Sequence, residues 1–138
     1  MRNLATRGEK MNNLGIDPLN IENFEIRLSE KEGTIAVVFS GMIDIREPTK
    51  EILPYLLKIH KAILENAFNK VYIDLTGLDF MNSSGIKTFI SWIMKVNEMP
   101  QAERYNIIII YGPDITWQQS SVKVIKRLFP DFIEAINP

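Results

Sequence analysis

The chain has 138 residues, 16 basic and 17 acidic side chains, a formal net charge of -1, 46% hydrophobic residues and no cysteine. A domain of this length buries roughly two-thirds of the surface its unfolded chain exposes, enough for a core without covalent staples. The near-neutral charge provides no global field for nucleic acid or anionic membrane, and the missing thiols exclude disulfides, thiolate catalysis and cysteine-based zinc sites. No apolar run approaches the ~18 residues needed to span a bilayer, and no apolar signal segment opens the chain, so a cytoplasmic location is expected.

Residues 1–20 show no sustained periodicity and are punctuated by Gly8, Gly15 and Pro18; they are expected to form a flexible extension, with residues 21–138 as one domain. Phe24, Ile26 and Leu28 alternate with Glu25 and Arg27, which predicts a strand with one wet face. Glu30 to Gly33 then turns the chain into a nearly continuous apolar run, Thr34 to Ser40, and the pair reads as a hairpin with a more buried inner strand. Ile52, Leu56, Ile59 and Ile63 carry helical spacing and predict a helix from about Glu51 to Phe68. Pro54 is expected in its first turn or at a break, because its ring clashes with the carbonyl four residues back.

Val71 to Leu75 is a short strand-forming run that Thr76-Gly77 interrupts, and Leu78, Phe80 and Met81 are expected to tuck a connecting loop onto the core. A second helix is predicted from Ser84 to about Glu98, with Ile86, Phe89, Ile90, Ile93 and Met94 as its apolar stripe. Ile107 to Tyr111 reads as a central strand, and a third helix follows from about Ile115 to Leu128, capped by Asp114 or Thr116. Phe132 to Ile136 adds a last strand or a helical turn. The order β-β-α-β-α-β-α, with helices crossing between strands, predicts an α/β fold with a mixed, mostly parallel sheet of four to five strands.

The informative stretch is the junction before the second helix, Asp74 through Gly85. It brings the hydroxyls of Ser83 and Ser84 to a helix N-terminus at the carboxyl end of a parallel strand, the edge where open α/β sheets meet ligands and partners. Unpaired N–H groups and partial positive charge there accept an anion, and a phosphate on serine adds about -1.5 to -2 charges. Taken as pattern alone, the same serines read first as helix caps, with Gly85 incidental.

At this point the chain resembles the STAS family (sulfate transporter and anti-sigma factor antagonist). Phe39-Ser40-Gly41-Met42-Ile43-Asp44 resembles the strand end before the first long helix. Val71 to Leu75 with Leu78 to Met81 resembles the strand and loop that lead to the switch, and Asn82-Ser83-Ser84-Gly85-Ile86 resembles the signature Asp-Ser-Ser-Gly-Leu. The resemblance covers about residues 21–136. It implies a bacterial, non-enzymatic regulator of transcription that works by partner switching: it binds a serine kinase that doubles as an anti-sigma factor, is phosphorylated by it, and is restored by a metal-dependent phosphatase. By position the phospho-acceptor is Ser83. Asn82, Ser83, Ser84 and Gly85, with Lys87 and Trp92 on the following helix, form the expected docking face. The signature's acidic residue is Asn82 here, which keeps the size but not the charge or basicity of aspartate; slow or absent phosphorylation at Ser83 is the corresponding expectation.

Trp92 lies about 240° from Ile86 at 100° per residue, off the expected apolar stripe, and reads either as packing against a neighbouring element or as an interface anchor. Trp117, at the start of the third helix, and Asp44, at the end of the inner hairpin strand, are candidate ligand or interface residues. A small-ligand-sensing module with its niche near Tyr111, Trp117 and the loop is the alternative function. His60 is the single histidine and reads as a partly buried structural residue; with no second histidine, no cysteine and no clustered carboxylates, neither a metal nor another cofactor is expected. No G-x-S-x-G elbow surrounds Ser83 and no glycine-rich nucleotide loop is present, which leaves an enzyme without its parts.

Overall fold

The computed structural model describes residues 14–138. Six strands form one sheet in chain order: β1 (Leu19–Ile21), β2 (Phe24–Lys31), β3 (Thr34–Ile43), β4 (Lys70–Met81), β5 (Asn106–Ile110) and β6 (Ile133–Ile136). The pairs β1–β2 and β2–β3 are antiparallel, whereas β3–β4, β4–β5 and β5–β6 are parallel. Each parallel pair is bridged by a helix: α1 (Pro48–Glu65), α2 (Ser83–Asn97) and α3 (Thr116–Leu128). The expected class is therefore present, a mixed and mostly parallel α/β sheet, with six strands in place of four or five.

The extra strand is β1. The stretch expected to be a flexible extension reaches into the sheet, since Leu19 to Ile21 pair with Phe24 to Ile26, and Leu14 and Ile16 pack against the core. Tyr55 Oη–H reinforces this edge by donating to the carbonyls of Asp17 (2.7 Å) and Ile26 (3.2 Å). The remainder of that expected extension, residues 1–13, lies outside the described residues. The hairpin β2–β3 closes through Glu32 and Gly33, both at positive φ (49° and 81°), the backbone that a tight two-residue hairpin turn requires and glycine supplies readily.

Because successive right-handed crossovers step across the sheet in one direction, all three helices cover the same face. One core results: Ile35, Val37 and Phe39 of β3, Val71 and Ile73 of β4, and Ile107 and Ile109 of β5 pack with Ile59, Ile93 and Ile125 of the three helices. On the other face Ala36, Tyr72, Ile108 and Ile110 form a smaller buried cluster, and Lys31 Nζ stands 5.1 Å from the Tyr72 ring centre. Pro54 neither starts nor breaks α1, which begins with Pro48 in its first turn. Pro54 and Lys50 both lie on the exposed side of α1, where the Lys50 carbonyl loses its intrahelical donor.

Candidate functional site

Strand β4 does not stop at Thr76-Gly77. It runs on to Met81, and its partners on β3 show why: Val38 pairs with Asp74 but Ser40 with Gly77, and Gly41 pairs with Leu78 but Met42 with Phe80. Between each two of these pairs β4 carries one more residue than β3, so the strand bulges and bends while it remains paired. Leu78 and Met81 are buried as expected, whereas Phe80 is 39% exposed. The polar residue that holds this bend is Gln118 of α3, fully buried. Its Nε2 donates to the carbonyls of Leu75 and Leu78 (both 2.7 Å) and its Oε1 accepts from the Gly112 amide (2.8 Å). Neither Asp114 nor Thr116 caps α3 with its side chain.

At the end of β4, Asn82 is the N-cap of α2. Its Oδ1 accepts from the Gly85 amide at 2.8 Å, and its Nδ2 donates to the Ile45 carbonyl at 3.0 Å and toward Asp44 Oδ1 at 3.5 Å. The capping role that the pattern offered to Ser83 or Ser84 is thus filled by the residue before them. Both serines are exposed in the first turn of α2, and neither hydroxyl hydrogen-bonds another described residue. Gly85 is buried, and a Cβ there would stand 2.7 Å from Met81 Cγ, 3.1 Å from Asn82 Oδ1 and 3.2 Å from Ile43 Cγ2. Its absent side chain serves the domain's own packing and does not open room for an outside group.

Of the other expected site residues, Lys87 is exposed one turn further along α2, and Asp44 is exposed beside the Asn82 amide. Trp117 is half-buried, and its Nε1–H donates to the Asp79 carbonyl at 2.8 Å, which places it on the same sheet edge as Ser83. Trp92, expected on the docking face, is instead fully buried and offers nothing to a partner. The core-facing residues of α2 are Gly85, Thr88, Phe89, Trp92, Ile93 and Val96, a stripe rotated from the one that the apolar residues alone suggest. Gly85 and Thr88 are small or polar enough to be overlooked in a hydrophobic count, yet they are the residues in contact.

Trp92 instead joins a hydrogen-bonded chain with Tyr105 and His60. Trp92 Nε1–H donates to Tyr105 Oη (2.9 Å), and Tyr105 Oη lies 2.7 Å from His60 Nδ1. Indole is only a donor, so Tyr105 Oη accepts from Trp92, and the direction of its bond to His60 Nδ1 follows the imidazole tautomer. Burial lowers the His60 pKa below its ordinary value, with the Lys95 charge adding to the effect, and burial raises that of Tyr105. At the edge strand, burial and then the charges of Asp17 and Glu25 push the Tyr55 hydroxyl up to about 12. An open cleft of about 360 Å³ lies beside the Asp44 loop, lined by Ile21, Glu22, Ile45, Arg46, Glu47 and Glu51, apart from the Tyr111–Trp117 niche expected for a ligand. Among the described residues no cluster of His, Asp or Glu is arranged to hold a metal, and no helix is long and apolar enough to cross a membrane.

No protein-family profile and no curated protein matches the chain. Solved structures do. An anti-sigma factor antagonist from Mycobacterium paratuberculosis superposes with a TM-score of 0.53 at 17% identity, over 80% of this chain and 85% of that one. An uncharacterised DUF3478-family protein with a SpoIIAA-like fold from Shewanella loihica superposes at 0.52 and 18% identity, over 85% of this chain and 88% of that one. The six-stranded sheet with its three crossover helices is therefore a STAS-like α/β domain.

Proposed function

We propose that this domain is a non-enzymatic signalling regulator that binds a protein partner through the Asn82–Gly85 turn and the exposed face of α2, with Ser83 as the residue whose modification decides docking. The observation that carries this reading is the division of labour at the start of α2: Asn82 caps the helix, leaving Ser83 and Ser84 exposed with hydroxyls that no described residue engages. A phosphate on Ser83 would sit at the positive end of α2, where unpaired amides accommodate an anion without unfolding the helix, while the surface presented to a partner changes charge by about -2. The fold shared with an anti-sigma factor antagonist supports the same reading, and the resemblance of Asn82-Ser83-Ser84-Gly85-Ile86 to the STAS signature suggests a serine kinase of the anti-sigma type as the partner, with a phosphatase to reverse the step. A bacterial cytoplasm and control of transcription belong to this proposal.

The test is affinity capture from native extract with the wild type, Ser83→Ala and Ser83→Asp. A partner retained by wild type and Ser83→Ala and lost by Ser83→Asp is the expected result. Equal retention by all three would remove the turn from the mechanism.

A further inference from the structure

Helices α2 and α3 each follow the carboxyl end of a parallel strand, so they run side by side with their N-termini, and hence Ser83 and Trp117, at one edge of the sheet. Thr88 on one flank of α2 meets Thr49 of α1 through their hydroxyls (2.8 Å), and α1 and α2 pack closely; no comparable contact joins α2 to α3. At 100° per residue the opposite flank of α2 carries Ile86, Ile90 and Met94. The flank of α3 that faces it carries Trp117, Val124 and Leu128. Ile86, Ile90 and Trp117 are half-buried, while Met94, Val124 and Leu128 are 40%, 49% and 59% exposed. Two helices thus border a furrow with apolar side chains of their own, at i, i+4, i+8 on α2 and i, i+7, i+11 on α3. That spacing suits a third helix laid between them.

Charge says which kind of helix. α2 carries Lys87 and Lys95, α3 carries Lys123, Lys126 and Arg127, and neither contains an aspartate or glutamate; at 100° per residue Lys87 and Arg127 stand on the furrow side, and the other three on the flanks away from it. Among the described residues only Lys95 of these five lies within ion-pair distance of a carboxylate, that of Glu98 at 3.9 Å. Lys87 and Arg127 stand next to the apolar flanks, one on each helix. We propose that the furrow between α2 and α3 docks an acidic, amphipathic helix of the protein partner, its leucine-type face against Met94, Val124 and Leu128 and its carboxylates toward Lys87 and Arg127. This rests on the partner-binding reading above and gives the Ser83 switch a physical basis. Ser83 and Lys87 share one face of α2, so a phosphate there neutralises the rim lysine and repels an acidic occupant at the furrow's mouth.

The probe is a fluorescein-labelled peptide with leucine at i, i+3, i+4 and i+7 and glutamate at the remaining positions, titrated with the full chain by fluorescence anisotropy. A second peptide with lysine in place of glutamate is the control. Saturable binding of the glutamate peptide alone is expected, weakening with salt and falling at least about tenfold in Leu128→Glu and in Arg127→Glu. Both substituted residues are exposed, and circular dichroism verifies that the variants fold. No saturable binding, equal binding of the two peptides, or unchanged affinity in both variants would overturn the proposal. So would flotation of the chain with phosphatidylserine vesicles that Leu128→Glu abolishes, which would assign the furrow to a membrane surface. Ser83→Asp in the same titration separates the two readings. Wild-type affinity there, with loss in Leu128→Glu, keeps the furrow and removes the serine switch; the reverse pattern keeps the switch and removes the furrow.

Discussion

Asn82 binds the two halves of the site with one amide: its oxygen caps α2, and its nitrogen ties the Ile45 carbonyl and approaches Asp44. An aspartate there would still cap the helix, because either carboxylate oxygen accepts from the Gly85 amide, but it has no hydrogen for Ile45 and would set a second negative charge beside Asp44. Asn82→Asp is therefore expected to fold with a loss of about 1–2 kcal/mol, read from urea unfolding, and to accept phosphate at Ser83 faster from a cognate kinase. Unchanged stability would show that the Ile45 bond contributes nothing net. The helix end was legible because serines before an apolar periodic run mark an N-terminus, and the serine pair stood out through its resemblance to the STAS signature. The identity of the cap was not, since serine and asparagine are both good N-caps and only the path of the chain from Met81 decides between them.

At the scale of elements, α2 shows how periodicity misleads when small residues face the core. Counting from Ile86 puts Met94 inside and Trp92 outside, whereas Gly85 and Thr88 draw the helix onto the sheet on the Trp92 side. The close approach at Gly85 is the most sensitive point of that contact. Gly85→Ala brings a methyl group against Met81, Asn82 and Ile43, and a loss of about 1–3 kcal/mol in urea unfolding is expected, reduced if Met81 is shortened at the same time. No loss would mean that α2 can lift from β3 and β4 without cost. The sequence suggests a shorter β4 for a related reason, because Thr76-Gly77 looks like a break and is a bulge inside a continuing pair. Gln118 left a usable signal: it occupies the buried i, i+4, i+7 stripe with Val122 and Ile125, where a polar residue must be hydrogen-bonded to something. Strand β1 left little, being three residues long.

Across the whole molecule, the α/β class and the crossover helices followed from the alternation of elements in the chain, the order of strands in the sheet is the structure's own finding, and the fold is like that of the solved anti-sigma factor antagonist. The His60–Tyr105–Trp92 chain connects α1, α2 and the approach to β5, and the burial of His60 within it, with the Lys95 charge, predicts a stability that depends on pH. Because the folded state lowers the His60 pKa, the unfolded chain binds the proton more readily; the stabilisation is complete above about pH 6.5 and is lost as pH falls from there toward the folded value. Urea midpoints at about pH 7.5 and about pH 5.5 should differ more in the wild type than in His60→Gln, and equal differences would exclude His60 as the cause. The docking surface proposed above lies at the one edge of the sheet that carries Ser83, Asp44 and Trp117. The most direct test of that claim is the dissociation constant of the captured partner for the domain carrying phosphoserine at position 83 against the unmodified domain. The expected result is a rise of at least about tenfold on phosphorylation, and an unchanged constant would contradict it.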